Sequence, residues 1–263
     1  MNKIDERLKI TFLGTGTSQG IPVIGSTHPV CLSKNPKDKR LRVSILISWN
    51  NFNYVIDCGP DFRQQMLTHK VSKLDGILFT HEHADHTAGI DDIRPFFFRQ
   101  GDIPIYAHQR VVDSLKTRFD YIFSENNRYP GAPAVSINIV KNNLPFEIGD
   151  LMAIPVEGFH NRLQVFGYRV KDLAYLTDVK TVTNEEIDKI KGVKVLCVNA
   201  LRIEPHHSHF NLEEALQFVK KVQPEQAYFT HISHHMGFHD EVEKTLPHNV
   251  HLAYDNLIVN INE

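Results

Sequence analysis

The stretch THEHADH, residues 80–86, decides the fold of this chain. It places four potential metal ligands (His81, His83, Asp85 and His86) within six positions, directly after an apolar run. Such side chains, when packed together, repel one another. Removing them from water also costs free energy unless a cation neutralises and binds them. His81 and His83 are two positions apart, so one helical face cannot present both, whereas a strand end and a tight loop can. The stretch predicts a metal site at the end of a buried strand, just ahead of a helix that begins near Thr87.

Length and composition describe an ordinary globular chain. The 263 residues give room for one large core, and we predict a single domain over residues 1–263. A net charge of −2 provides no basic footprint of the kind that binds nucleic acid without specificity. No apolar run approaches the ~20 residues that cross a bilayer, and no signal peptide is visible. Three widely spaced cysteines argue against a disulfide framework and predict a cytoplasmic protein.

Working outward from the motif, apolar runs and turn residues predict a series of strands. Residues 43–47 and 54–56 predict a hairpin, and residues 9–13 a strand that runs into the glycine-rich loop GTGTSQG. We expect that loop to bring backbone close to a site rather than to hold a nucleotide, because it matches neither nucleotide-binding motif. Residues 250–253 and 257–261 predict a final hairpin. Asp57, at a strand end, suits either bracing of a ligand histidine or a plain turn.

Other candidate ligands follow strands directly. His81, Asp178 and His231 each come after an apolar run, and His160 lies in a turn between two strands. Strand ends that gather along one edge are where an α/β fold builds its site. With the rest of the motif they give seven nitrogen and oxygen ligands, which suit two metals that share Asp178 as a bridge.

This pattern resembles the metallo-β-lactamase superfamily over essentially the whole chain. Within it, the stretches GTGTSQGIP, DKRLRVS, IDCGPDFR, GIDDIRPF and HHSHFNLEEAL resemble the PhnP-type phosphodiesterases, which are relatives of tRNase Z. The resemblance implies an α/β (α+β) fold: a four-layer αββα sandwich with the metals at one edge of the sheets.

The resemblance also implies roles for individual residues. One metal would be held by His81, His83 and His160, and the second by Asp85, His86 and His231, with Asp178 bridging. Asp85 is also assigned to the catalytic residues, and His209 matches the family's proposed general acid. The metals would be zinc or manganese, with iron equally compatible with such ligands.

One departure concerns a separate structural zinc. PhnP-type proteins bind it through three cysteines, spaced Cys-x-Cys-x-x-Cys, and a distant histidine. This chain has Ser26, His28 and Cys31 at the cysteine positions, with His234 as the distant partner. Serine is a poor zinc ligand, so His28, Cys31 and His234 remain as candidates for a third, structural zinc.

The expected activity is hydrolysis of small or cyclic phosphodiesters. Two divalent ions that bracket a water lower its pKa from 15.7 toward ~7, which makes a bridging hydroxide available. A tRNase Z-like RNA-processing nuclease is the first alternative, although no basic inserted arm is visible. A thioester hydrolase of the same fold is the second, although only 32 residues follow His231. β-Lactam hydrolysis and di-iron redox chemistry fit less well, because export and a flavin domain are not indicated.

The sequence leaves open the binding partners of the protein and the role of one loop. The expected partner is a small phosphodiester; nucleic acid is not favoured, no membrane is expected, and a homodimer is compatible with the sequence. Residues 120–136, DYIFSENNRYPGAPAVS, interrupt the pattern and suit either a lid or interface loop or an ordinary surface connection.

Overall fold

The computed structural model describes residues 7–124 and 128–262 of the protein. Within those residues the strands form two seven-stranded sheets. The first sheet consists of β1 (Leu8–Gly14), β2 (Ser44–Trp49), β3 (Phe52–Ile56), β4 (Gly76–Leu78), β5 (Ile103–Ala107), β6 (Val135–Ile139) and, further along the chain, β14 (Ile258–Ile261). The second consists of β7 (Phe146–Ile148), β8 (Leu151–His160), β9 (Leu163–Val170), β10 (Leu173–Leu176), β11 (Val195–Asn199), β12 (Gln226–Thr230) and β13 (Val250–Leu252).

Both sheets change from antiparallel to parallel pairing along their width. In the first, β1, β2 and β3 pair antiparallel, and β3 to β6 pair parallel. In the second, β7 to β10 pair antiparallel, and β10 to β13 pair parallel. Parallel strands end at the same edge of a sheet, so the residues that follow them are brought together.

The helices are short and lie between strands. They are α1 (Pro29–Leu32), α2 (Phe62–Thr68), α3 (Ala84–Thr87), α4 (Arg94–Gln100), α5 (Gln109–Arg118), α6 (Asp120–Phe123), α7 (Asn184–Asp188), α8 (Leu212–Val222) and α9 (His239–Glu243). Single 3-10 turns occupy Pro36–Asp38, Ile90–Ile93 and His234–Met236. A capping box begins α8, because the Asn211 side chain accepts from Glu214 N while the Glu214 carboxylate accepts from Asn211 N.

Three apolar clusters arrange these elements in four layers. One lies between the two sheets and includes Phe12, Ile45 and Tyr168. A second packs α2, α4 and α5 on the outer face of the first sheet, and a third packs α7 and α8 on the outer face of the second. The two sheets and the helices on their outer faces form an αββα sandwich, and the predicted fold class is confirmed.

The predicted final hairpin is wrong. Strand β13 pairs with β12 in the second sheet, whereas β14 pairs with β1 in the first. The connection attaches to β1 on the way, because Phe12 N donates to Leu257 O and Asn256 N donates to Phe12 O. Two short strands that are adjacent in sequence therefore form the edges of two different sheets.

Local boundaries near the motif also differ from the predictions. Asp85 and His86 lie within the single turn of α3 rather than ahead of a helix. Pro95 lies in the first turn of α4, where a proline lacks only an amide that would have no partner. His160 is the last residue of β8, paired with Leu163, rather than part of the turn.

The irregular segment at 120–136 is partly described. It begins with the turn of α6 and ends in β6, while residues 125–127 lie outside the described part of the chain. Arg94 donates to the hydroxyl of Tyr129 in this segment. A lid or interface role for it stays a prediction. No helix in the described residues is long and apolar enough to cross a membrane.

Candidate metal centre and active site

The predicted ligands meet where strands from both sheets end. Strand β4 leads to His81, β8 ends at His160, β10 leads to Asp178, and β12 leads to His231. Three groups of side chains there have ligand atoms within 4.8 Å of one another: His81, His86 and Asp178; Asp85, His86 and His231; and His160, Asp178 and His209.

His86 lies at the centre of this arrangement and is fully buried. Its Nε2 is 3.2 Å from Asp178 Oδ2 and 3.3 Å from Asp85 Oδ2. Burial lowers the pKa of His86, but Asp85, Asp178 and Asp57 raise it, and the net pKa is well above its usual range. The carboxylates therefore favour positive charge at the position of this ring.

Unpaired nitrogens give the clearest sign that this cluster can bind a cation. Among the described residues, His86 Nε2 and both ring nitrogens of His231 are buried without a hydrogen-bond partner. Buried polar atoms are normally paired, and each unpaired one costs about 1–3 kcal/mol. A divalent ion would satisfy the Nε2 atoms of His86 and His231 together with the adjacent carboxylates, so the donor set fits a metal site.

Asp178 faces histidines with both oxygens. Oδ2 accepts from Thr177 Oγ1 at 2.8 Å, and Oδ1 lies 3.2 Å from His231 Nε2 and 2.9 Å from His209 Nε2. Burial raises the pKa of Asp178, but His231 and His86 oppose it and the pKa is well below its usual range. Asp178 is therefore ionised, and its two oxygens face two different sides of the site.

The other half of the site is formed by three histidine rings. His81 Nε2 and His83 Nδ1 are 3.0 Å apart, and the rings of His83 and His160 are 5.4 Å apart between centroids. His160 Nδ1 donates to Ser208 O at 2.8 Å, which leaves its Nε2 for the site. The structure thus brings all seven predicted metal ligands to one edge of the sandwich.

Three site residues have left-handed backbone conformations. Asp57, Asp178 and His231 have φ angles of 65°, 57° and 55°. A non-glycine residue in this region is strained by about 1–2 kcal/mol. Asp57 and His231 directly follow strands and Asp178 comes two residues after one, so this conformation turns the chain sharply where a side chain must face the site.

A buried carboxylate braces the central histidine. Asp57 Oδ2 accepts from His86 Nδ1 at 2.7 Å, and the same carboxylate accepts from Thr80 N and Thr80 Oγ1 at 2.8 Å each. His86 is held with Nε2 toward the site, the arrangement that fixes ligand histidines in metalloproteins. Of the two roles left open for Asp57, the geometry agrees with bracing.

Gly59, two residues further on, allows close packing beneath the motif. A Cβ placed there would lie 2.1 Å from Asp85 O. Cys58 N also donates to His86 O at 2.7 Å. Any side chain at position 59 would displace the turn of α3 that carries Asp85 and His86.

The glycine-rich loop reaches the same edge as predicted. Thr17 N donates to Ile232 O, and Ile232 N donates to Thr15 O at 2.9 Å. These bonds hold the loop against the residue that follows His231.

Several residues that support the site are not among those predicted from the sequence. Asn199 Oδ1 accepts from Val179 N at 2.8 Å while Asn199 Nδ2 donates to Val179 O at 3.0 Å, which fixes the loop that carries Asp178. The signal was a polar residue at the end of an otherwise apolar strand. Thr80 and Ser208 lie beside predicted ligands, but only the folded chain shows which atoms they contact.

His209 lies inside the site rather than beside it. Its Nε2 contacts Asp178, and its ring is 4.4 Å from that of His160 and 5.0 Å from that of His231 between centroids. Burial lowers the pKa of His209 to about 4, despite the hydrogen bond to Asp178. A phosphate oxygen bound beside the ring would raise that pKa again, because it favours imidazolium.

The residues predicted to hold a structural zinc lie elsewhere. The rings of His28 and His234 are 4.9 Å apart between centroids, and Cys31 packs with Ile21 and Val30. Within the described residues, the ligand atoms of His28, Cys31 and His234 do not form a group within 4.8 Å. A zinc at this position stays a prediction.

Comparison with known proteins agrees with this geometry. The model of the beta-lactamase superfamily domain matches residues 52–232. The chain belongs to the beta-lactamase superfamily. A crystal structure of a diphosphatase from the PhnP family is 36% identical, superposes with a TM-score of 0.90 and covers 97% of each chain. This superfamily member therefore also belongs to the PhnP family.

Curated relatives carry two different names. A protein of Porphyromonas gingivalis named octanoyltransferase is 38% identical over 258 residues, which are 97% of this chain and 52% of that protein. A ribonuclease Z of Nostoc punctiforme is 26% identical over 170 residues, which are 63% of this chain and 47% of that protein. The chain spans about half the length of these relatives. The metallo-β-lactamase fold implies divalent metals, and the chain has this metallo-hydrolase fold.

Proposed function

We propose that the protein is a binuclear metal-dependent phosphodiesterase that hydrolyses small or cyclic disubstituted phosphates. The observation that carries the proposal is the pair of buried histidines, His86 and His231, whose unpaired nitrogens face Asp178 and Asp85. The similarity to a diphosphatase of the PhnP family supports a phosphate ester or anhydride as the bond that is cleaved.

Two ions are the number that best suits this ligand set. His81, His83 and His160 would hold one, and Asp85, His86 and His231 the other, with Asp178 shared between them. Seven nitrogen and oxygen donors exceed what one tetrahedral ion accepts. The absence of sulfur from the set fits zinc, manganese or iron. Divalent ions at such a site supply Lewis acidity and a nucleophile at neutral pH.

The chain's own residues then position the substrate and move a proton. His209 Nε2, 2.9 Å from Asp178 Oδ1, is placed to donate a proton to the departing oxygen. Asp178 and Asp57 fix the orientations of His209 and His86 before any substrate arrives. Such preorganisation avoids reorganisation at the moment of reaction.

Small substrates suit this chain better than RNA. Its net charge is −2, and residues 7–124 and 128–262, which the structure describes, include no basic inserted arm to hold a polyanion. The ribonuclease Z relative nevertheless makes RNA the first alternative to test. Thioester hydrolysis is the second. The octanoyltransferase name does not favour it, because that name covers a protein about twice as long.

The cysteines bear on the cellular location of the protein. All three cysteines, Cys31, Cys58 and Cys197, are unpaired and buried. Unpaired thiols suit a reducing compartment, so we propose the cytoplasm.

Purified protein supplied with zinc or manganese tests the activity. The panel would contain bis(p-nitrophenyl) phosphate, a 2′,3′-cyclic nucleotide, a dinucleoside diphosphate, p-nitrophenyl phosphate, a precursor tRNA and an acyl thioester. We expect the disubstituted phosphates to be hydrolysed fastest and the monoester slowly. Faster turnover of the thioester or the RNA than of every disubstituted phosphate would overturn the proposal.

A further inference from the structure

Glu82 lies between two of the predicted metal ligands, but its carboxylate is directed elsewhere. In THEHADH it separates His81 from His83, whose ring nitrogens approach each other to 3.0 Å. The Glu82 carboxylate accepts from Arg110 of α5, with Nε to Oε1 at 2.8 Å and Nη2 to Oε2 at 3.2 Å. Such a paired contact between a guanidinium and a carboxylate fixes the direction of both groups. The residue between the two ligands is therefore attached to a helix of the outer layer.

Arg110 also reaches the second sheet. Its Nη2, which carries two hydrogens, donates to Gln164 O of β9 at 2.5 Å as well as to Glu82. Gln164 is paired with Phe159, the residue before His160. Arg110 thus connects Glu82, in the loop after β4 of the first sheet, with the β8–β9 hairpin that carries His160.

Two further hydrogen bonds join the motif to β9. Phe166 N donates to Thr80 O at 3.0 Å, and the hydroxyl of Tyr168 donates to Phe79 O at 2.6 Å. Both hold the start of the motif and end at Thr80. The contact of Arg110 extends this connection beyond the first ligand, to the residue between the two histidines.

A second arginine of α5 holds the backbone of the same loop. Arg118 Nη2 donates to Glu82 O at 3.0 Å and to Thr87 Oγ1 at 2.9 Å, and Thr87 Oγ1 donates to His83 O at 2.8 Å. These contacts stay within the motif and α5. Arg118 therefore stabilises the loop itself, whereas Arg110 sets its position relative to the second sheet.

We propose that Arg110 is a positioning residue that acts through Glu82 on one of the two metal positions. It sets the distance between the two histidines that flank Glu82 and His160 of the other sheet. These three histidines are the ligands assigned to one ion, so the inference rests on the proposed function. Within the described residues, neither Arg110 nor Glu82 has a hydrogen bond or ion pair with the ligands assigned only to the other ion. That second position should therefore be unaffected by a change at Arg110.

Three variants separate position from charge. Arg110→Ala removes the connection between the sheets and leaves the Glu82 carboxylate without this partner. Glu82→Ala/Arg110→Ala removes the connection with no change in net charge, so a loss of metal that persists there is not caused by charge. Arg169→Ala is the matched control. Arg169 belongs to β9, is half-buried like Arg110, and donates to Lys171 O at 3.0 Å and Lys189 O at 2.6 Å rather than to the motif.

Calorimetric titration with zinc or manganese is the first measurement, with the two binding steps assigned by His83→Ala and His231→Ala. We expect Arg110→Ala and the double variant to weaken the step that His83→Ala weakens, by about 10-fold, the lower end of the range for residues that orient metal ligands. The step that His231→Ala weakens should keep its affinity, and Arg169→Ala should bind as wild type. Equal weakening of both steps, or wild-type affinity in the double variant, would overturn the inference.

Amide hydrogen exchange tests the same connection independently of metal binding and activity. Because Arg110 and Glu82 form a partly exposed ion pair, the Tm of Arg110→Ala should fall by no more than about 4 °C. The amides of residues 157–166 should nevertheless exchange faster, while those of β12 stay unchanged. Unchanged exchange at 157–166 would reject the role of Arg110. If wild type hydrolyses no disubstituted phosphate or binds only one ion, the proposed function fails, and hydrogen exchange still decides the inference.

Discussion

Two histidine-rich regions of the molecule differ in whether their candidate metal ligands come together. At the sheet edge, seven side chains from separate parts of the chain converge, and three of their buried ring nitrogens lack hydrogen-bond partners among the described residues. In the segment with His28, Cys31 and His234, the candidate ligands do not converge to within 4.8 Å in the described structure. There His28 Nδ1 already accepts from Val30 N, and Ser26 Oγ accepts from His28 N.

The difference shows that ligand-type residues become a site only when the fold holds them in place. At the edge, Asp57 and Asn199 hold the elements that carry His86 and Asp178. In the second region, His28 caps a four-residue helix, and Ser26 accepts from the amide of His28. His234 Nδ1 is buried without a partner in the described structure, so one feature of a metal site persists there.

The largest expected effect comes from Asp178→Ala. Removing the carboxylate that faces both His86 and His231 should abolish nearly all hydrolysis and lower the bound metal, because two buried histidines lose their shared anion. Metal analysis and kcat/KM check this. Asp172→Ala is the control, since that carboxylate is 41% exposed. An Asp178→Ala protein with full metal and full activity would contradict the model of the edge.

His209→Ala should have the next largest effect. Loss of proton donation is typically worth ~10²–10⁴ in rate, so an alkyl or cyclic diester should slow by about that factor. A nitrophenyl diester should slow distinctly less, because its leaving group needs little protonation. Metal content should stay constant. If it falls instead, His209 would be a ligand, as its contact with Asp178 also allows.

Asp57→Asn tests whether the hydrogen bond between Asp57 and His86 supports metal binding at the sheet edge. The region of His28, Cys31 and His234 has no equivalent brace among the described residues. The amide keeps the size of the side chain but removes the charge that accepts from His86 Nδ1 at 2.7 Å. Residues that orient ligand histidines typically contribute 10- to 100-fold in metal affinity or activity. We expect a loss in that range, measured by metal titration. An unchanged metal affinity would show that Asp57 serves only as a turn residue.

Cys31→Ser should have the smallest effect on catalysis and decides whether the second region binds metal. If His28, Cys31 and His234 hold zinc, the variant should lose one metal and melt at a lower temperature. Metal at 100 times its Kd adds about 2.7 kcal/mol, which corresponds to a fall of about 5–10 °C for a chain of this size. Activity should change little. An unchanged metal count and melting temperature would leave Cys31 as a packed thiol.

Much of the fold could be predicted from the sequence because its signals are local. The hairpin of β2 and β3, the capping box at Asn211 and the strand before the motif all depend on residues close together in the chain. The destination of β14 could not be predicted, because two backbone bonds to Phe12 decide which sheet it joins. The one-turn helix α3 was missed for a similar reason: its packing against Cys58 and Gly59 is a tertiary contact.

For the site, the sequence alone determined which residue types follow each strand, and therefore which side chains could meet at an edge. Only the tertiary structure decided their distances and hydrogen-bond partners. It placed Asp57 on His86, brought His209 onto Asp178, and paired Glu82 with Arg110. The physical reason is that a strand end fixes the position of a residue, whereas pairing between its ring nitrogens and distant carboxylates arises only when both sheets have closed around the core.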